Sequence, residues 1–369
     1  MTDHDVAGVT ETAAPGRGYL DTPSMGLPTT STVNAMRTAI DAWASGDACF
    51  SEWEQSMEAC RALFARILDV DSGKVGLLPS VVPAVSAVGT AIARETGVVV
   101  AHRKEFRSLL LPILALVGEE RVRLVDGPYV AATFTEALDD QTAAVLVSAV
   151  SSHDGGRPSL MRLRGACAGA DARLVVDGTQ AAGIVNPDVP LSDLSLFACA
   201  GYKGLRGPRG VAYAVTHDDV IGDFAVPSGY GMADGDVQGN YGPPLRPKRG
   251  APGLDQSPAW LAWVGAEPGL AELAEQSATH RERHVVALAS RLRDNLEELN
   301  LQPQQTDLPS PIVTFASDEP AELVGRLGYA GVRATSKFAR VRLGFHIYND
   351  DNDVDIVSQL LSQHVGRAG

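Results

Sequence analysis

Between residues 75 and 200 short apolar runs alternate with stretches of helical period, and few folds accommodate that order. VGLLPS at 75–80, GVVVAH at 97–102, AAVLVSAV at 143–150, LVVD at 174–177 and LFACA at 196–200 read as strands, with helices at 83–95, after Ser108 and at 160–169. Such alternation implies an α/β protein with a mostly parallel sheet flanked by helices. Before it, Met36, Ile40, Trp43, Trp53, Met57, Cys60, Phe64 and Ile67 recur at helical spacing between 34 and 70. After it comes a Gly, Pro and Asp-rich loop at 218–253, then helices at 259–275 and 280–299 and a smaller α+β region from 307. Residues 1–18 read as a disordered lead-in, 19–258 as a large domain, and 259–369 as connecting helices and a small C-terminal domain.

Two of the strands end in chemistry. Asp177 follows Leu174-Val175-Val176, and Lys203 follows the run at 196–200, so both side chains emerge at strand ends, where ligands bind in open α/β sheets. Taken singly, Asp177 can begin a turn and Lys203 can be a surface lysine. Together, an amine and a carboxylate in one crevice match what pyridoxal phosphate needs: a lysine for the Schiff base and an acid that keeps the ring nitrogen protonated.

Composition narrows the partners. A formal charge of -14 argues against nucleic acid or an anionic membrane surface. No run reaches membrane-spanning length, and the acidic, polar start is unlike a signal peptide, so a cytoplasmic address is expected. Cys49, Cys60, Cys167 and Cys199 lack metal-ligand spacing and read as reduced thiols, and no metal site is expected.

Asp177 with Gln180, and A-G-Y-K-G-L-R-G-P-R-G at 200–210, together resemble the class V aminotransferase family of fold-type I pyridoxal phosphate enzymes, which includes cysteine desulfurases, kynureninases and isopenicillin N epimerase-like proteins. The resemblance extends from Tyr19 to about Leu361 and implies further site residues. The segment 19–35, with Tyr19, would line the substrate side. Ser80, Val81 and Val82 fall where relatives bind the cofactor phosphate through a threonine, a position held here by Val82. Backbone N–H groups at a helix start, with Ser80 as cap or ligand, would serve instead. Phe106 replaces the histidine that stacks on the cofactor ring. Ser152 and His153 would face the cofactor or the substrate. Tyr202 precedes the lysine, and Gly250-Ala251 resembles a turn that reaches the partner subunit's phosphate, again without its threonine. Arg342, preferred to Arg333 and Arg340, would clamp the substrate carboxylate.

The same resemblance implies a homodimer with shared active sites, the segment 229–258 and its Arg246, Lys248 and Arg249 reaching across. It leaves the reaction open. The persulfide route of desulfurases requires a cysteine just before the arginine strand, where this chain reads ATSKFA at 334–339. The expected activity is therefore C–S β-elimination from a cysteine S-conjugate, or a decarboxylative or oxidative deamination of an amino acid, in secondary metabolism. In feel the motifs lie nearest to actinobacterial C–S lyase-like proteins and to lincosamide-pathway enzymes acting on S-cysteinyl conjugates. The alternatives are an aminotransferase and a non-catalytic binding module of the same fold.

Overall fold

The computed structural model of the protein describes residues 16–233 and 241–368. The chain opens with α1 (Thr30–Ser45) and α2 (Phe50–Leu68), then runs β1 (Val75–Leu78), α3 (Val82–Ala93), β2 (Val98–His102), α4 (Arg107–Val117), β3 (Val122–Val125), α5 (Ala131–Thr135), β4 (Thr142–Ser148), α6 (Leu160–Gly169), β5 (Arg173–Asp177), β6 (Leu196–Ala200) and β7 (Ala212–Val215). α7 (Trp260–Ala274) and α8 (Ala278–Glu298) lead to β8 (Ile312–Ala316), α9 (Pro320–Tyr329), β9 (Thr335–Lys337), β10 (Arg340–Gly344) and α10 (Asp351–Ala368). The helical pattern at 34–70 is two helices because Gly46, with φ 83°, ends α1 in the left-handed region. Ser159 and Ser277 cap α6 and α8 by accepting the N–H of Arg162 and His280.

Seven strands form one sheet in the order β1-β7-β6-β5-β4-β2-β3, and β8-β10-β9 make a separate antiparallel sheet. β2 to β6 run parallel, while β7 is antiparallel to both β6 and β1. The large sheet is buried on both faces. Val145, Val147, Leu174, Val176 and Phe197 belong to one core, and Ala144, Leu146, Val175, Leu196 and Ala198 to the other. Helices on both faces therefore explain why these strands read as continuous apolar runs.

The N-terminal segment is shared between the two units. Tyr19 and Asp21 bridge to Arg333 and Gly344 of the C-terminal region, whereas α1 packs on α7. Gly18 is already anchored, its N–H donating to Asp353 at 2.6 Å. Residues 1–15 of the expected lead-in, and 234–240 of the expected partner-reaching loop, lie outside the described residues.

Candidate active site

β5 and β6 are adjacent and parallel, with Asp177 in register with Ala198, so Asp177 and the turn carrying Lys203 share one end of the sheet. Both side chains are only 5% exposed. Burial, reinforced by Arg342, Lys337 and Arg209, lowers the Lys203 ammonium from 10.5 to about 8 against the opposing pull of Asp177. Burial also raises the Asp177 carboxyl, while Thr179, whose N–H donates to Oδ1 at 2.8 Å, and Lys203 act against it. A buried amine titrating near neutrality beside a buried acid is a reactive pair.

Close backbone approach holds the lysine in place. The Gly26 N–H donates to the Tyr202 carbonyl at 2.9 Å, and a Cβ on Gly26 would lie 2.0 Å from the Lys203 carbonyl oxygen. His346 is fully buried and its Nε2 lies 2.9 Å from the Gly204 carbonyl; burial holds its ring at about 3, so it is neutral and donates there. Gly26 lies in the entry segment that the resemblance sets on the substrate side and His346 in the segment around Arg342, but their contacts with the lysine turn are non-local and carry no sequence signal.

Aromatic rings flank the amine. Lys203 Nζ lies 5.6 Å from the ring centroids of both Phe106 and Tyr202, and the Phe106 ring is 45% exposed, leaving a face for a planar ligand. Phe106 is set by its neighbour Glu105, which is buried. The Glu105 carboxylate accepts from the Phe106 N–H at 2.6 Å, from Ser148 Oγ at 2.6 Å and from the Tyr129 hydroxyl. Gln180 Nε2 donates to the Pro23 carbonyl at 3.0 Å, tying the N-terminal segment to the floor of the crevice.

Ser80 does not cap α3. The N-cap is Val81, without a side-chain hydrogen bond, because the residue at the cap position is apolar and Ser80 precedes it. The first amides of α3 are thereby left without a side-chain acceptor. Ser80 and Val82 are exposed and Val81 is buried.

Arg342, on β10, is 3% exposed and already engaged. It donates from Nη1 to the Ser152 carbonyl at 2.8 Å, from Nη2 to Ser24 Oγ at 2.8 Å and Thr335 Oγ1 at 3.1 Å, with Asp21 at 3.6 Å. Ser152 thus contributes its backbone; Asp21 and Thr335 come from the entry segment and the ATSKFA segment, and Ser24 is an addition that no local motif signals. Arg340 is bound to Thr314 instead. His153 stacks on Phe338 at 4.7 Å and its buried Nδ1 has no partner. The Tyr19 hydroxyl is spent on the Met25 carbonyl at 2.7 Å. Gly250 and Ala251 lie elsewhere in the same subunit: the Gly250 N–H donates to Asp219, and Ala251 packs over Gly76 near the start of β1.

Residues 45–357 match the family model described as Aminotransferase class-V. The chain belongs to the class-V aminotransferase family. It is a fold-type I, pyridoxal-phosphate-dependent enzyme of that family. Solved structures of similar fold include a cysteine desulfurase from Thermococcus onnurineus NA1, with 17% identity, a TM-score of 0.77 and coverage of 97% of this chain and 99% of that one. Another is the cystine C-S lyase C-DES with its product cysteine persulfide, at 18% identity, a TM-score of 0.79 and coverage of 94% and 98%. The Escherichia coli cysteine desulfurase CsdA gives 17%, 0.78, and 96% and 97%. No curated protein matches the chain.

The residues present fit the cofactor. A buried, weakly basic lysine, a buried carboxylate beside it, an aromatic face within reach of the amine and a helix start with no side-chain cap correspond to its aldehyde, ring nitrogen, ring face and phosphate. Among the described residues no helix is long and apolar enough to cross a membrane.

Proposed function

We propose that this enzyme cleaves the Cβ–S bond of a cysteine S-conjugate by β-elimination, releasing a thiol, pyruvate and ammonia. The observation that carries this reading is the β9–β10 hairpin. Lys337 pairs with Arg340, so only Phe338 and Ala339, with φ of 52° and 58°, make the turn. A turn that tight leaves no room for a mobile loop, and it carries no thiol. Cys60, Cys167 and Cys199 are buried, and Cys49 lies at the start of α2. Sulfur therefore leaves with the substrate's own substituent and is not passed to a protein thiol.

When bound, pyridoxal phosphate supplies an electron sink for bonds broken at the substrate α-carbon. Neutral Lys203 would serve as the base for the α-proton, and Asp177 would hold the proton on the ring nitrogen. Phe106 would cover one ring face, Gln180 supports the crevice floor through its bond to Pro23, and the amides of Ser80–Val82 leading into α3, with Tyr202, would hold the phosphate. Arg342 would take the substrate carboxylate in place of the Ser24 and Thr335 hydroxyls, in competition with the Asp21 carboxylate at 3.6 Å, because a charged acceptor makes the stronger hydrogen bond. His153, Ser152 and Tyr19 border that pocket. Decarboxylative or oxidative deamination would use the same residues.

The enzyme acts, in this reading, as a cytoplasmic homodimer in secondary metabolism. Unpaired thiols suit a reducing compartment. An apolar surface cavity of about 660 Å³ between Trp43, Phe50, Trp53 and Trp260 supports an interface between copies. On the segment 229–258 the exposed Arg246 and Arg249 would then be placed to reach the partner's site, whereas Gly250 and Ala251 are buried within their own subunit.

Mass spectrometry of products from the holoenzyme with cystine and with S-alkyl and S-aryl cysteines tests the reaction. Pyruvate and the sulfur leaving group in equal amounts, a free thiol from the S-alkyl and S-aryl cysteines and cysteine persulfide from cystine, are expected without an added keto acid. Turnover that requires a keto-acid acceptor would establish transamination instead, and a persulfide on a protein cysteine would restore the desulfurase route.

A further inference from the structure

We propose that Arg209 is the cation that binds the cofactor phosphate in this enzyme, in place of the hydroxyls that Val82 and Ala251 lack. Strand register places it there. β1 and β7 are antiparallel with Leu78 opposite Ala212, so the chain leaving β1 for α3 runs beside the chain that reaches β7 through Arg209, Gly210 and Val211. The backbone entering the uncapped start of α3 thus runs beside that of Gly210–Val211, with Arg209 one residue further on, exposed at the edge of the cavity lined by Trp260 and free to turn toward the helix start.

The arginines of this region differ in what they already bind. Arg206 donates to the Leu27 and Pro28 carbonyls and stacks on Tyr348. Arg342 is held by Ser152, Ser24 and Thr335. Arg209 lies with its guanidinium carbon 5.3 Å from the Tyr202 ring centroid, and among the described residues no carboxylate pairs with it. Tyr202 in turn adjoins Lys203 Nζ, and Arg209 is near enough to help depress that ammonium. A phosphate dianion seated between α3 and Tyr202 would take two parallel N–H donors from the guanidinium, relieving its repulsion of Lys203. Helix amides alone provide only partial charge.

The inference rests on the cofactor and is independent of the reaction proposed above. Apoenzyme is titrated with pyridoxal phosphate and with pyridoxal, which lacks the phosphate, and the visible absorbance of the lysine adduct gives both affinities. Arg209→Ala should weaken pyridoxal phosphate by about tenfold or more and leave pyridoxal within about twofold, while Arg283→Ala, at an exposed position on α8, should leave their ratio unchanged. Unaltered pyridoxal binding also shows that the variant is folded. Should Arg209→Ala fail to fold, Arg209→Lys is read in the same way, with a smaller selective loss expected because the planar fork is gone. Equal loss of both ligands, an unchanged ratio in the Arg209 variants, or a selective loss in Arg283→Ala would overturn the assignment. Loss of adduct with both ligands in the wild type would instead strike at the cofactor itself.

Discussion

Cofactor capture by the apoenzyme should follow the titration of Lys203, because only the neutral amine attacks an aldehyde. Its ammonium is brought from 10.5 to about 8, chiefly by burial. About one Lys203 in ten is then neutral at pH 7, against about one ordinary lysine in three thousand. The rate of adduct formation should climb about tenfold per pH unit below pH 8 and level off above it, where an ordinary lysine would still be climbing. Apoenzyme mixed with pyridoxal phosphate from pH 7 to 10, quenched with borohydride and analysed by peptide mass spectrometry, gives the profile. Asp177 is the neighbour that raises Lys203, so Asp177→Asn should move the plateau to lower pH; Arg342 lowers it, so Arg342→Gln should move the plateau up. Stability is linked to the same proton. Between about pH 8 and 10.5 the unfolded chain retains a proton that folded Lys203 has lost, so this group makes the apoenzyme more stable as pH rises through that window. Below pH 8 both forms are protonated and the folded state bears the full penalty, about 3 kcal/mol at 1.36 kcal/mol per pH unit. A rate still rising at pH 10, or adduct on another lysine, would refute the reasoning.

Lys203→Ala should lose the borohydride-reducible adduct and all turnover, whereas Asp177→Asn should keep the adduct and lose turnover roughly a hundred- to thousandfold, measured as pyruvate release. Gly26→Ala drives a Cβ to 2.0 Å from the Lys203 carbonyl and should cost about 1–3 kcal/mol by thermal melting together with most of kcat; wild-type kcat would show that the lysine turn tolerates displacement. Replacing each cysteine by Ser or Ala should leave turnover within a few fold, with stability losses of about 1–3 kcal/mol confined to the buried Cys60, Cys167 and Cys199. Trp43→Glu combined with Phe50→Ser should shift the sedimentation of a dimer toward monomer, and unchanged sedimentation would remove that face from the interface.

The residues that were legible are those whose signal is local. Asp177 and Lys203 stand immediately after strands that are apolar because both sheet faces are covered, and α6 begins at its Ser159 cap, so sequence order alone brings each into view. β3 was missed because it is a half-buried edge strand carrying Arg123, and α5 because five residues show no helical period. The Phe338–Ala339 turn was opaque for a different reason. Two-residue hairpins with positive φ ordinarily announce themselves by Asn or Gly, and this one has neither. What tunes the site is non-local: Ser24 and Asp21 meet Arg342 across more than three hundred residues of chain, and His346 reaches the Gly204 carbonyl from the far domain. Substitutions at Ser24, Thr335 or His346 should therefore alter the carboxylate pocket or the lysine turn without touching any motif. That distinction separates the two halves of the site: Asp177 and Lys203 are set by the ends of β5 and β6, whereas Arg342 is set by contacts between the N-terminal segment and the β8–β10 sheet that only the folded chain brings together.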